Sequence, residues 1–212
     1  MHIPDGFLST RVWTTASILS GMALAGALAR TQKKIEDRHI PFMGVMAAFV
    51  FAVQMINFPV GGGTSGHFTG STLVALLLGP SAAAVIMSTV LIVQCLLFQD
   101  GGITALGANI LNMALIGTFG GYAIYRGICI LTGNRQTVSF IAAGIAAWSS
   151  VVLASLACAL ELALSGAVAL KTVVPVMSIV HGVIGLAEGA ITGLVMVSLG
   201  KVRSDLLKLQ KI

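Results

Sequence analysis

Apolar segments of membrane-spanning length set the first limit on this sequence. They run roughly from Val12 to Ala29, Ile40 to Phe58, Ser71 to Phe98, Thr104 to Tyr125, Val138 to Leu160 and Val173 to Leu199. Segments that long and that poor in charge are read as transmembrane helices. The composition agrees: of 212 residues, 57% are hydrophobic and only 9% charged. A soluble domain of this length could not cover its surface with so few polar groups. The 25 glycines suit close helix packing in lipid. The net charge of +5 is no nucleic-acid footprint, because the basic residues cluster in loops and at the C-terminus.

The third segment settles the topology. Its middle reads Leu77-Leu78-Gly79-Pro80-Ser81, and Gly-Pro disfavours an uninterrupted helix. A break there gives a short segment of about nine residues and a full span from about Ser81. The total becomes seven. The positive-inside rule then holds throughout, with 30–39, Arg126 to Arg135 and Lys201 to Lys211 all cytoplasmic. A continuous span would put Arg126, Arg135 and the basic tail outside. The expected architecture is an all-α integral membrane protein of seven segments forming one domain over 1–212. Residues 1–11 are an N-terminal loop outside the membrane. Residues 201–212 are a basic tail along the cytoplasmic interface.

Chemistry concentrates at the start, Met1-His2-Ile3-Pro4-Asp5-Gly6-Phe7-Leu8-Ser9. With histidine second, the Met1 amine, the His2 backbone nitrogen and His2 Nδ1 can all reach one metal ion. They close a five- and a six-membered chelate ring. Such a nitrogen set favours a flat site, which suits Ni(II), Cu(II) or low-spin Co(II). Met1 is expected to be retained because histidine is too large to permit its removal. Pro4 and Asp5-Gly6 read as a turn that stiffens the loop, and no cleavable signal peptide precedes the first span. The remaining coordination position needs another donor. His67, in Gly61-Gly62-Gly63-Thr64-Ser65-Gly66-His67, falls on the same side of the membrane as the terminus. A glycine run lets backbone approach a ligand or another segment closely. On the reference pKa of a free imidazole, binding is expected to weaken as pH falls through about 6.5.

Other polar residues have two readings each. His181 and Glu188 lie seven apart on one face of the last helix, as a functional pair or a packing pair. Glu161 is expected to be exposed near the outer end of its helix. Asp100 either attracts cations or caps a helix, and Asp5 holds the N-terminal loop in shape. Asn109 and Asn112 share a face as interhelical glue, as support for the site, or as both. Cys95, Cys129 and Cys158 form no CxxC and read as small packing residues. Two rows of small residues, Ser17-Gly21-Ala25-Ala29 and Gly185-Gly189-Gly193, serve internal packing or a second membrane subunit. With no P-loop, any ATP hydrolysis belongs to another chain.

The two motifs together, Met-His-Ile-Pro-Asp-Gly-Phe-Leu-Ser and Gly-Gly-Thr-Ser-Gly-His-Phe-Thr-Gly, resemble the substrate-binding membrane subunit of nickel/cobalt energy-coupling-factor transporters, the NikM/CbiM family. The resemblance extends over the whole chain in length and span order. It implies an N-terminal loop folded back into the core. It also implies an ion held in a plane by the Met1 amine, the His2 backbone nitrogen and imidazole, and the His67 imidazole. The transported ion is then nickel, with cobalt possible, and Pro4-Asp5 is more similar to the nickel group. The implied partners are a transmembrane coupling subunit, two ATPase subunits and often a small accessory membrane protein, in the plasma membrane. A proton-coupled carrier using His181, Glu188 and Glu161 is the alternative. An enzyme is not expected, for want of HExxH or a general base beside an open metal position.

Overall fold

The computed structural model describes residues 1–60, 64–133, 136–203 and 205–207. Among these residues there are seven helices: α1 (Thr10–Gln32), α2 (His39–Gln54), α3 (Ser71–Leu78), α4 (Pro80–Phe98), α5 (Leu106–Leu131), α6 (Gln136–Leu164) and α7 (Leu170–Val202). Five of them, α1 and α4 to α7, are long and apolar enough to cross a membrane. Each carries large apolar side chains on its outer surface, such as Met22, Leu97, Leu131, Leu164 and Leu186. In lipid that exposure costs nothing, because the solvent is itself apolar.

The break between α3 and α4 falls where Gly-Pro places it. Gly79 has φ +84° and ψ 156°, a conformation that glycine adopts without strain. Pro80 then occupies the first turn of α4, where its missing N–H needs no partner. All eight residues of α3 are buried, packed against α4, α5 and α6. A half-length helix is stable here because its whole circumference meets protein.

Two expectations need correction. The apolar pattern places the second span over Ile40 to Phe58, but α2 ends at Gln54, and its 16 residues fall short of a full crossing. Beyond it, β1 (Phe58–Val60) pairs antiparallel with β2 (Thr64–Gly66), Pro59 opposite Ser65. A small hairpin therefore sits in a fold expected to be purely helical. Of the glycine run, 61–63 lie outside the described residues, as do Arg135 and half of the tail, 204 and 208–212. In α5, residues Ile110–Gly120 wind as a π-helix, a wider turn common at functional sites.

The glycine row of α7 packs within the chain. A Cβ on Gly189 would lie 2.6 Å from the Gly144 carbonyl oxygen, and one on Gly185 would lie 3.0 Å from Trp148. In α1, Ser17 faces Gly107, while Gly21, Ala25 and Ala29 are exposed. Gly189→Val is accordingly expected to force α6 and α7 apart and destabilise the protein by about 1–3 kcal/mol. Gly21→Ala, with nothing within 4 Å of the new Cβ, stays within about 0.5 kcal/mol of the parent. Thermal unfolding of both variants in detergent checks the contrast; equal transitions would contradict the backbone contact.

Candidate metal centre

The first three residues are not a frayed terminus. Met1 and Ile3 are fully buried and His2 is 4% exposed. Burying the Met1 and Ile3 side chains holds the loop in place by about 1.5–3 kcal/mol each. Backbone hydrogen bonds add to this. Ile3 N–H donates to Asn109 Oδ1 at 2.9 Å, while Asn109 Nδ2 (3.2 Å) and Gly102 N–H (2.9 Å) donate to the Ile3 carbonyl. Asn109 thus pairs with Ile3 as a neighbouring strand would. Gly102 must be glycine for this approach, since a Cβ there would sit 2.3 Å from the Asp5 nitrogen. Asp5 accepts from Ile103 N–H (3.0 Å), Thr104 N–H (2.8 Å) and the Thr104 hydroxyl. It clamps the loop to the turn before α5, where the sequence suggested bonding within the loop itself. Thr104 holds its carboxyl below the usual carboxylate range.

The hairpin brings Ser65 to the terminus. The Met1 amine donates to the Ser65 carbonyl and to Ser65 Oγ at 3.1 Å. His2 N–H donates to the same Oγ at 3.2 Å, and His2 Nδ1 faces it at 3.5 Å. Cys158 Sγ lies 3.8 Å from the Met1 carbonyl, a packing residue as expected.

Hydrogen-bond partners orient both site histidines. His2 Nε2 lies 3.2 Å from Gln94 Oε1, and with the proton on Nε2 its Nδ1 is an acceptor. Asp100 Oδ1, 3.3 Å from Nδ1, adds a carboxylate on that side of the ring. His67 Nδ1–H donates to the Phe68 carbonyl at 2.7 Å, leaving Nε2 as an acceptor. His67 Nε2 is buried and has no partner among the described residues. Metal-ligating histidines are commonly oriented in this way, one nitrogen on a carbonyl and the other on the ion. The two rings stack with centroids 4.7 Å apart. Among the described residues no three His, Cys, Asp or Glu side chains form a metal cluster. A site here therefore depends on main-chain nitrogen.

Burial keeps these groups neutral. It lowers the amine from 8.0 to about 5. Burial, and then the nearby amine, bring His2 from 6.5 to about 3 and hold His67 well below 6.5. Asp100 is raised by burial, against the pull of the amine and Asn57. A cleft of about 290 Å³, lined by His2, Asn57, Ser65, Asp100 and others, connects this cluster to the surface.

Support comes from helices distant in sequence. Glu188, 4% exposed, accepts from Thr69 N–H (2.6 Å), the Thr69 hydroxyl (2.7 Å) and Gly70 N–H (2.9 Å). Gln54 Nε2 donates to the Thr69 carbonyl at 2.8 Å. Together they fix the loop that carries His67. His181 does not pair with Glu188. Its Nδ1–H donates to the Met177 carbonyl at 3.0 Å, and its ring lies within electrostatic reach of the amine and His67. Glu161, expected to be exposed, is only 9% exposed and accepts from Asn112 Nδ2 at 2.6 Å. Asn109 and Asn112 thus serve different partners. Among the described residues, no hydrogen bond links His181, Glu188 and Glu161 into a proton relay.

Residues 2–206 match the profile of the CbiM family, described as the cobalt uptake substrate-specific transmembrane region. The chain belongs to this family. It is 41% identical over 210 residues to a putative fused nickel transport protein, NikMN, of Archaeoglobus fulgidus, covering 98% of this chain and 68% of that one. It is 39% identical to a putative metal transport protein of Haloquadratum walsbyi, covering 97% and 93%. A crystal structure of a transition metal transporter superposes with a TM-score of 0.89 at 36% identity, covering 100% of this chain and 98% of that one. Family membership and the long apolar helices make this a multi-pass membrane protein.

Reasoning from sequence named Met1, His2 and His67, which the fold brings together. It passed over Ser65, Gln94 and Gln54. The two glutamines had a readable signal, since polar side chains inside apolar spans must find partners. Glu188→Gln puts an NH2 group against one of three donors. It is expected to destabilise the protein by about 1–3 kcal/mol and to weaken metal binding through the His67 loop. Unfolding and nickel titration of this variant check the claim; unchanged values in both would contradict the anchoring role.

Proposed function

We propose that this chain is the substrate-specific subunit of an energy-coupling-factor importer that binds Ni(II), with Co(II) as a second substrate, through four nitrogens in a plane. The donors are the Met1 amine, the deprotonated His2 backbone nitrogen, His2 Nδ1 and His67 Nε2. One observation carries this reading: a buried chain terminus beside a buried, unpartnered imidazole nitrogen, with the two histidine rings 4.7 Å apart. The names of its relatives support nickel or cobalt as the cargo.

The mechanism follows from the state of the donors. A hydrated divalent ion enters the cleft from the extracytoplasmic side, drawn by Asp100. It displaces water onto donors that already lack protons, because burial keeps the amine and imidazoles neutral. Only the His2 amide proton has to leave, to solvent. The closed chelate rings and the flat nitrogen set favour Ni(II), Cu(II) and low-spin Co(II) over ions that demand six oxygens. The N-terminus faces outward and the C-terminus inward. A transmembrane coupling subunit, two ATPases and a small accessory membrane protein complete the importer, and ATP hydrolysis on those subunits drives reorientation and release. This chain itself catalyses no reaction.

Two outcomes test the site. Two residues added before Met1 convert its amine into an amide, which has no basic lone pair, and carry the free amine out of reach of the site. Nickel affinity is expected to fall by more than roughly 100-fold, and the same holds for His2→Ala and His67→Ala, since outer partners alone contribute up to that much. Titration calorimetry on folded protein reads this, and an extended chain that binds normally removes the amine from the site. The pH profile is the second test. Above about pH 5 each bound ion releases one proton, from the amide; below it the amine, lowered to about 5, adds a second. Log affinity therefore rises about one unit per pH unit from pH 5 to 7 and more steeply below. A break near 6.5, as for solvated histidine, would contradict a buried neutral site.

A further inference from the structure

We propose that the groove between α1 and α6 holds one phospholipid with a primary-amine headgroup, phosphatidylethanolamine, in the leaflet that contains the N-terminus. Its ammonium binds Glu161, and its phosphate binds Arg11 at the start of α1. The groove has a volume of about 460 Å³ and is lined by Ser9, Arg11, Thr15, Leu19, Leu111 and Glu161, among others. α1 packs against α4 and α5, and the groove separates it from α6. This site is separate from the metal centre, since neither Met1, His2 nor His67 lines it.

Glu161 supplies the cation end. It is 9% exposed and sits in the last turn of α6, where its carbonyl accepts from Ser165 N–H at 3.0 Å. Its Oε2 accepts from Asn112 Nδ2 at 2.6 Å, and its Oε1 has no hydrogen-bond partner among the described residues. The ion pairs among those residues join other groups. A buried carboxylate with a single neutral partner is costly in apolar surroundings and is stabilised by any cation that can reach it. The groove gives that access, because Glu161 lines it.

Arg11 supplies the anion end. It is exposed and forms no ion pair among the described residues. It lies in the first turn of α1, which holds no acidic side chain, and Ser9 before it makes no side-chain capping bond. A helix N-terminus favours a phosphate, and an arginine beside it adds charge-assisted hydrogen bonds. From Ser9 to Leu19 the groove follows about 15 Å of helix, half the hydrocarbon thickness of a bilayer. Val12, Ala16, Leu111 and Leu164 make its walls apolar, as an acyl chain requires. A cation site and an anion site on one apolar groove match a zwitterionic lipid. The carboxylate selects a primary ammonium over a quaternary one, because only the primary ammonium donates hydrogen bonds.

The test uses the whole chain, purified in detergent and stripped of lipid. Dioleoyl phosphatidylethanolamine, phosphatidylcholine or phosphatidylglycerol is added, and native mass spectrometry counts the lipid retained. The parent is expected to hold one phosphatidylethanolamine about tenfold more tightly than phosphatidylcholine, the size of one hydrogen bond to a charged group. Glu161→Gln still accepts from Asn112 and is expected to lose that preference while binding both lipids. Arg11→Gln is expected to weaken all three lipids and to keep phosphatidylethanolamine ahead of phosphatidylcholine. Leu19→Trp fills the groove and lowers retention of every lipid. Equal retention of the three lipids by the parent, the result if the groove seats a helix of another subunit, overturns the proposal. So does a Glu161→Gln variant that keeps the preference, or an Arg11→Gln variant that binds all three as the parent does. If Glu161→Gln does not fold, a folded Leu19→Trp that retains phosphatidylethanolamine as the parent does overturns the proposal.

Discussion

A charged amine cannot be buried among apolar helices at an acceptable cost, so it is neutralised. That constraint organises the molecule. The Met1 nitrogen is lowered to about 5 by burial, and the two histidines around it are lowered as well. What is left is a pocket of neutral nitrogen lone pairs beside a partly buried carboxylate, Asp100. Such a pocket has an unsatisfied preference for a cation. On the function proposed above, the same desolvation that shields it from protons prepares it for a metal ion.

Holding a chain terminus inside a membrane protein requires anchors from several directions. The Met1 and Ile3 side chains supply apolar burial, and Asn109 and Asp5 tie the loop to the start of α5 and the turn before it. Gln94 from α4 orients one imidazole, and Gln54 and Glu188 from α2 and α7 fix the loop behind the other. The half-length α3 matters here, because it lets the chain leave the hairpin inside the protein and carry His67 with it. Among the described residues, no hydrogen bonds join the acids and histidines into a relay through the bundle. These contacts brace the N-terminus and the loop that carries His67.

Much of this was legible in the chain. Gly79-Pro80 marked the broken helix, and Pro4 with Asp5-Gly6 marked an ordered terminus, because both signals are local. The hairpin was not legible. Phe58-Pro59-Val60 continues an apolar span without a change of composition, and three-residue strands carry too little periodicity to stand out. Glu161 was misplaced because its partner, Asn112, comes from a different helix 49 residues away. Ser65 was passed over for a similar reason, since its role exists only once β2 meets residues 1 and 2, some 64 positions earlier. Contacts between distant segments are set by packing, and packing leaves little trace in local pattern.

X-ray absorption of the nickel-loaded protein, purified with its native first residue, tests the central claim most directly. The account predicts one nickel per chain, a single inner shell of four nitrogens and the edge feature of a planar ion. Six nitrogen or oxygen neighbours in an octahedral shell, or no stoichiometric nickel, would contradict it.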